Sequence, residues 1–188
     1  MQSPAPPLAR ALAFALAAHG AQTRKGSQIP YVSHLLQVCG LVLEAGGDMD
    51  QATAALLHDV VEDTPATLEQ VAAEFGAGVA AIVADCTDTQ ADETPTSKRP
   101  WRERKQSHVV HLRGVSNHSA LVVGCDKLHN MRTLVASIEQ DGVATLKRFN
   151  APPDQQRWLH GELLAALQGK LPETLYTCLL YTSDAADE

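Results

Sequence analysis

Residues 56–64 read LLHDVVEDT and place four ionisable side chains within a short stretch. His58 and Asp59 are adjacent, and Glu62 and Asp63 each follow one of them at a distance of four residues. Because positions i and i+4 lie on one face of a helix, the spacing predicts that these side chains crowd one side of a helix. Three carboxylates so placed repel one another unless a cation offsets their charge. The motif therefore indicates a cation-binding site, although a surface cluster of carboxylates gives the same local pattern.

Apolar residues around this motif recur at helical spacing along almost the whole chain. Ala and Leu dominate the composition and aromatic residues make up 4% of it, which favours helices over strands. A capping box formed by Thr67 and Gln70 marks one helix start, and the polar residues 87–100 read as a loop. We predict an all-α bundle of about eight to ten helices. The predicted helices are 7–21, 30–44, 50–61, 67–76, 79–85, 101–112, 121–134, 143–149 and 153–167.

The length of 188 residues fits one domain of ordinary size. We predict a single domain over residues 1–170 and a C-terminal tail over 171–188. The last part, CLLYTSDAADE, resembles a translated sequencing adapter, so we expect about 178–188 to be artefactual or disordered, with a natural frayed tail as the alternative. Near the N-terminus, the apolar run after Arg10 would also suit a short signal peptide, but we favour a buried first helix.

Charge and cysteine content restrict the partners and the compartment. A formal net charge of −7 argues against a general nucleic-acid binder. Residues 98–113, here called the basic strip, contain six basic residues against Glu103 alone, which suits a small anionic ligand, with a solvated helix face as the alternative. Four cysteines without a CxxC pair indicate a reducing, cytoplasmic setting. No stretch approaches the roughly 20 apolar residues of a membrane span, and nothing indicates an oligomeric state.

The His58–Asp59 pair supplies only two metal ligands, and a closed site needs more. His34 lies near the start of the second predicted helix and is one candidate. Asp126 follows the apolar run LVVG and is another, because a carboxylate is costly to bury unless it is paired or bound to a metal. Imidazole and carboxylate donors together suit manganese, iron or zinc. The other histidines remain open as ordinary polar or packing residues.

Six blocks of sequence, in this order, resemble the RelA/SpoT-type (p)ppGpp hydrolases of the HD superfamily, in their small single-domain form. An HD pair alone is a weak signal, but HDxxED with RKxxxxxYxxH upstream and DxxHNxR downstream is specific. The blocks are AxxxHxxQxRKG (Ala15 to Gly26), PYVSH (Pro30 to His34), AALLHDVVEDT (Ala54 to Thr64), EFGAGVAAIV (Glu74 to Val83), WRERK (Trp101 to Lys105) and DKLHNMRTL (Asp126 to Leu134).

The resemblance implies an HD-domain helical bundle that hydrolyses guanosine 3′,5′-bis(diphosphate)-type alarmones and releases pyrophosphate from the 3′ position. It further implies a small nucleotide as substrate and one divalent ion, typically manganese, as cofactor. Three groups of site residues follow from the matching positions. They are the metal ligands His34, His58, Asp59 and Asp126, the catalytic carboxylates Glu62 and Asp63, and the substrate-binding residues Arg24, Lys25, Arg104, Lys105, Asn130 and Arg132.

Two positions depart from the family pattern. Leu35 stands where Pro is usual, and Asp88 follows Thr87 where Lys is common. The missing positive charge bears on substrate binding and leaves the metal ligands intact. Two alternatives therefore stay open: a phosphohydrolase acting on another phosphorylated nucleotide, and a nucleotide-binding regulatory module without turnover.

Overall fold

The computed structural model describes residues 5–88, 99–148 and 151–187, and over these ranges the chain is helical with no β-strand. The prediction of an all-α protein is confirmed. Most of the predicted loop at 87–100 lies outside the described residues. The helices are α1 (Pro7–His19), α2 (Val32–Glu44), α3 (Met49–Leu57), α4 (Val60–Asp63), α5 (Leu68–Phe75), α6 (Ala77–Cys86), α7 (Trp101–Gly114), α8 (Asn117–Asp141), a 3-10 helix (Val143–Arg148), α9 (Pro153–Leu167) and α10 (Glu173–Asp187).

The chain divides into two compact units, Met1–Thr87 and Asp88–Glu188. The N-terminal unit is built around α3, which packs against α1, α2 and α6. Every residue from Gln51 to Leu57 is buried, so α3 is buried on all sides, as expected of a helix in the middle of a core. The prediction of one domain over residues 1–170 stays a prediction.

Helix α3 begins at a capping box and ends where the site residues begin. The Asp48 side chain accepts a hydrogen bond from the Gln51 backbone N–H, and the Gln51 side chain accepts one from the Asp48 N–H. The sequence predicted one helix over 50–61, but α3 ends at Leu57 and α4 starts at Val60. The i, i+4 spacing predicted that the four ionisable side chains lie on one face of a single helix, but a turn at residues 58–59 interrupts that helix.

Polar side chains also cap the starts of two other helices. The capping box predicted at Thr67 and Gln70 is present at the start of α5 and is confirmed. Helix α8 extends beyond the predicted 121–134 at both ends, and the Ser116 hydroxyl caps its earlier start by accepting a hydrogen bond from the Ser119 N–H. None of the described helices combines the length and apolar character needed to span a bilayer.

The C-terminal unit is organised by α8, which packs against α10 and the 3-10 helix, while α7 packs against α9. A Cβ atom at Gly124 would lie 2.8 Å from Leu171 Cδ1, so glycine allows this close approach. The Lys170 Nζ donates to the Leu112 and Val115 carbonyl oxygens at 3.2 and 2.7 Å and so satisfies the C-terminal end of α7.

Helix α10 occupies the region in which the sequence predicted only a tail. Leu175 and Leu179 are 7% and 1% exposed, respectively. Their spacing of four residues gives α10 one apolar face, which is the usual reason for a terminal helix to pack. The prediction that about 178–188 does not belong to the natural protein is a separate matter and stays a prediction.

Candidate metal centre and active site

Two buried imidazoles lie next to each other in the N-terminal unit. His34 is 1% exposed on the first turns of α2, and His58 is 2% exposed directly after α3. Their ring centroids are 5.1 Å apart with an interplanar angle of 69°. The His58 Nδ1 lies 2.8 Å from the Ala55 carbonyl oxygen, which can only accept, so Nδ1 carries a proton and Nε2 is the ring nitrogen that faces Asp59. This is the orientation that metal-binding histidines usually adopt.

The Asp59 carboxylate joins the two imidazoles. Its Oδ2 atom lies 2.9 Å from the His58 Nε2 and 3.5 Å from the His34 Nε2. Adjacent residues of a regular helix point about 100° apart, so the interruption between α3 and α4 is what lets His58 and Asp59 present their donor atoms together. Asp59 has backbone angles φ −100° and ψ −5°, in the sparsely populated region where many active-site residues lie.

The fourth predicted ligand, Asp126, lies in the buried part of α8 in the C-terminal unit. It is 6% exposed, and its oxygens accept hydrogen bonds from the Lys127 Nζ at 2.7 Å and the Asn130 Nδ2 at 2.5 Å. In the N-terminal unit, the imidazoles of His34 and His58 lie together with the Asp59 carboxylate. Two imidazoles and a carboxylate suit divalent transition metals, so the donor chemistry fits such an ion.

Burial also rules out the cysteine beside Asp126 as a nucleophile. Burial, with a smaller contribution from the Asp126 charge, raises the pKa of the Cys125 thiol to about 12. A thiol of this kind carries almost no thiolate at neutral pH and is inert. Of these two neighbouring side chains, the Asp126 carboxylate is therefore the one that can take part in a reaction.

The predicted catalytic carboxylates lie on α4, immediately after the His58–Asp59 turn. Glu62 is half-buried and Asp63 is exposed. The Gln22 Nε2 donates to the Asp63 Oδ2 at 3.1 Å. Asp63 is thus held by an amide that comes from a distant part of the chain.

Tyr31 is a site residue that the sequence analysis did not single out. Its hydroxyl donates to the Asp59 Oδ2 at 2.5 Å, and its ring stacks on His19 with centroids 4.8 Å apart. The Arg24 guanidinium lies 5.7 Å from the centroid of the same ring. The available signal was the position of Tyr31 in the PYVSH block, between the predicted ligand His34 and the loop that carries Arg24.

The loop before α2 positions the first two predicted substrate-binding residues. Thr23 and Pro30 form an isolated β-bridge, and the Arg24 backbone N–H donates to the Ile29 carbonyl oxygen at 2.8 Å. The loop is therefore a closed turn. The Arg24 side chain is half-buried and that of Lys25 is exposed.

Two predicted substrate-binding residues of the basic strip, Arg104 and Lys105, pair with Asp88. The Arg104 Nη1 lies 2.5 Å from the Asp88 Oδ1, and the Lys105 Nζ donates to the Asp88 Oδ2. Asp88 is 4% exposed, so its charge acts in a poorly solvated environment. The position that departs from the family pattern is thus a buried acceptor for two cations.

Next to this pairing, His108 is buried on the following turn of α7. Its burial, together with the positive charges of Lys127 and Lys105, lowers its pKa to about 3. The Asp88 carboxylate acts in the opposite direction but more weakly. His108 is therefore neutral in the folded protein at physiological pH.

The last two predicted substrate-binding residues lie on α8. The Asn130 amide already donates to Asp126, so its contact here is with the predicted ligand. The Arg132 side chain is exposed. Asn130 therefore helps to hold a carboxylate, a role that the sequence analysis did not assign to it.

An all-α fold with a cluster of histidine and aspartate donors defines a class of helical proteins whose donors fit a divalent metal ion. Comparison with known families identifies the family. The model of the family described as HD domain matches residues 11–148. The chain belongs to the HD domain family, which confirms the family expected from the sequence blocks.

Named relatives share most of this chain. The guanosine-3′,5′-bis(diphosphate) 3′-pyrophosphohydrolase MESH1 of Xenopus tropicalis is 39% identical over 137 residues, which cover 71% of this chain and 73% of that protein. A probable enzyme of the same activity from Synechocystis sp. is 36% identical over 130 residues. That match covers 69% of this chain but 17% of the Synechocystis protein, so most of that protein has no counterpart here.

Solved structures have the same fold. A metazoan ortholog of SpoT that hydrolyses ppGpp superposes with a TM-score of 0.76 at 29% identity, over 97% of this chain and 96% of that one. A protein from Listeria monocytogenes EGD-e superposes with a TM-score of 0.69 at 24% identity, over 82% of this chain and 99% of that one. The second likeness concerns the fold alone.

Proposed function

We propose that this protein is a metal-dependent phosphohydrolase that removes pyrophosphate from the 3′ position of guanosine 3′,5′-bis(diphosphate)-type nucleotides. The observation that carries the proposal is the approach of two buried imidazole Nε2 atoms, from His34 and His58, to one Asp59 oxygen. Relatives that are 39% identical over 137 residues carry this activity in their names, which supports the choice of substrate.

The metal ligands of the proposal are His34, His58, Asp59 and Asp126, and the ion is Mn²⁺. A divalent ion in such a site supplies Lewis-acid chemistry to a phosphoryl group. The protein contributes the orientation of the donors: the Ala55 carbonyl fixes the His58 ring. Tyr31 and Asn130 each donate a hydrogen bond to one of the two aspartates in the same way.

In this proposal Glu62 and Asp63 are the catalytic carboxylates. Glu62 or Asp63 would orient the attacking water or accept its proton. A positioned acid or base increases the rate of a reaction by about 100- to 10,000-fold. The water oxygen bonds to the phosphorus attached to the 3′ oxygen. The bond between phosphorus and the 3′ oxygen breaks, the 3′ oxygen takes a proton, and pyrophosphate leaves. The position of Glu62 and Asp63 on α4, directly after two proposed ligands, supports this catalytic role.

The substrate contacts of the proposal come from six polar side chains. Arg24 lies in a closed turn beside Tyr31, which favours a role in nucleotide binding over that of a solvated surface group. The small nucleotide is the proposed partner, and the proposed location is the cytoplasm. The complete proposed set is Arg24, Lys25, Arg104, Lys105, Asn130 and Arg132.

The experiment that tests the proposal measures pyrophosphate release from ppGpp by the purified protein with and without Mn²⁺, together with bound manganese. We expect manganese-dependent release that is lost in His58→Ala and Asp59→Ala, with less manganese bound. Asp141→Ala changes an exposed carboxylate at the end of α8 and is the matched control. Full activity in both site variants, or tight nucleotide binding without product, would contradict the proposal.

One observation favours a second candidate function. Asp88 neutralises part of the charge that Arg104 and Lys105 would offer to a pyrophosphate group, so a substrate with fewer phosphates also fits this region. The second candidate is a phosphohydrolase acting on another phosphorylated nucleotide through the same metal site. A panel of phosphorylated nucleosides, assayed with product identification, separates the two candidates by their relative kcat/KM.

A further inference from the structure

We propose that Gln22, oriented by His19, is a positioning residue that holds the Asp63 carboxylate for catalysis. The inference rests on the proposed function, because it takes Asp63 as one of the two catalytic carboxylates. It goes beyond that function by assigning a role to two further polar residues. His19 is the last residue of α1 and Gln22 follows that helix, and their side-chain hydrogen bonds run to each other and to Asp63.

The hydrogen-bond directions in this group follow from its chemistry. The Gln22 Nε2 lies 3.1 Å from the Asp63 Oδ2, and the Gln22 Oε1 lies 2.8 Å from the His19 Nδ1. A carboxylate can only accept, so the amide turns its NH₂ group to Asp63 and its oxygen to the imidazole. The His19 Nδ1 must therefore carry a proton and donate it. The order of donation runs from His19 through Gln22 to Asp63.

His19 is itself firmly placed, which makes it a suitable support. It is the last residue of α1, it is 8% exposed, and its carbonyl oxygen accepts from the Gln22 backbone N–H at 3.0 Å. Its ring stacks on Tyr31 with an interplanar angle of 27°. Because the Tyr31 hydroxyl donates to Asp59, one buried ring supports the residues that hold both aspartates.

Asp63 needs such support more than the other acidic residues of the motif. It is exposed and ends a helix of only four residues, so packing alone does not restrict its rotamer. A catalytic carboxylate must be held close to its productive geometry, and a neutral amide holds it without removing its charge. Gln22 supplies this hydrogen bond from 41 residues away in the sequence.

The first experiment replaces the amide by a chain of similar length. Gln22→Met removes both hydrogen bonds, and we expect kcat for ppGpp to fall on the order of tenfold to a hundredfold. KM, bound manganese and the unfolding midpoint should stay within error of the wild type. Gln37→Met changes an exposed glutamine on α2 and is the matched control. An unchanged kcat, or a lower kcat that follows a loss of manganese or of fold, would overturn the inference.

Two substitutions of His19 separate its hydrogen bond from its ring stacking. His19→Asn places an N–H group close to the former Nδ1 position but loses the ring, whereas His19→Phe keeps a ring for Tyr31 and loses the donor. We expect His19→Asn to retain most of the wild-type kcat and His19→Phe to resemble Gln22→Met. The reverse order would show that the ring alone matters and would overturn the proposed orientation of Gln22.

A double-mutant cycle then tests whether Gln22 acts through Asp63. In the Asp63→Ala background, Gln22→Met should cause no further loss of kcat, because the group that it positions is gone. An equal loss in both backgrounds would overturn the inference. Full activity of Asp63→Ala would overturn it as well, while manganese-dependent hydrolysis by the wild type would leave the proposed enzymatic activity standing.

Discussion

The HD motif at 56–64 and the basic strip at 98–113 both concentrate charge, but the protein treats the two charges differently. In the motif, two carboxylates accept hydrogen bonds from neutral donors, a hydroxyl and an amide. In the strip, two cations pair with the buried carboxylate of Asp88. Neutral donors orient a charged group and leave its charge available, whereas an ion pair cancels it. The motif therefore keeps its attraction for a cation, and the strip loses part of its attraction for phosphate.

The largest effect that we predict tests whether the charge retained in the motif does chemistry. Glu62→Gln keeps the size of a half-buried side chain and removes its charge. We expect kcat for ppGpp to fall about 100- to 10,000-fold, because a glutamine cannot accept a proton from water. Steady-state kinetics with bound manganese measured in parallel check this, and manganese content should not change. A kcat within twofold of the wild type would mean that the Glu62 carboxylate takes no part in the reaction.

Most of the helices could be predicted from the sequence, because the signals that start and end a helix lie within a few residues of one another. A capping box such as that of Thr67 and Gln70 lies within four residues, and apolar periodicity needs only a few turns. The break between α3 and α4 could not be read in this way, because HDVVED keeps helical spacing across it. Helix α10 was not predicted, because residues 171–188 were expected to form a tail and about 178–188 to be artefactual or disordered, although Leu175 and Leu179 have the spacing of a packed helix.

The part of the candidate metal site that could be predicted from the spacing of residues is the part whose residues are neighbours in sequence. The crowding of charge from His58 to Asp63 is visible in the sequence itself. The contacts that orient these groups are not, since Tyr31 reaches Asp59 across 28 residues. In the same way, Asp88 reaches Arg104 and Lys105 across 16 and 17 residues. Tertiary packing sets such distances, and no local pattern encodes them.

The next prediction tests the cancelled charge in the strip. Asp88→Asn leaves two cations beside each other without their carboxylate, and breaking a buried ion pair on one side costs about 3 kcal/mol. For a chain of this size we expect the unfolding midpoint to fall by roughly 6 to 12 °C. Differential scanning calorimetry measures the shift, with Asp141→Asn as the exposed control. A midpoint within one degree of the wild type would indicate that the pair contributes little, as in solvent-exposed ion pairs.

A smaller effect tests whether a neutral donor orients a ligand. Tyr31→Phe keeps the ring that stacks on His19 and removes only the hydroxyl that contacts Asp59. Loss of such an outer contact weakens metal binding by about tenfold to a hundredfold. Titration calorimetry with Mn²⁺ measures this, and Tyr181→Phe is the control because that side chain is 73% exposed. Unchanged affinity would mean that the imidazoles alone fix the position of the Asp59 carboxylate.

The smallest predicted effect concerns pH and arises within the strip, where positive charge remains in excess around a buried imidazole. Burial, Lys127 and Lys105 lower the pKa of His108 from an ordinary 6.5 to about 3, so His108 stays neutral in the folded protein over a range in which the unfolded chain takes up a proton. Its contribution to stability is therefore complete above pH 6.5 and is lost as the pH falls towards 3, by about 1 kcal/mol for each pH unit.

His108→Leu removes this proton uptake, so we expect the free energy of unfolding to depend less steeply on pH between 6.5 and 4.5 than in the wild type, by about 1 kcal/mol per unit. Urea unfolding at several pH values measures the slope, and His118→Leu, at an exposed position of α8, controls for the loss of a histidine as such. Equal slopes in the His108 variant and the wild type would mean that the pKa of His108 is not lowered in the folded protein, because the Asp88 carboxylate offsets both the burial of the imidazole and the neighbouring cations. The motif and the strip would then differ in geometry rather than in net charge.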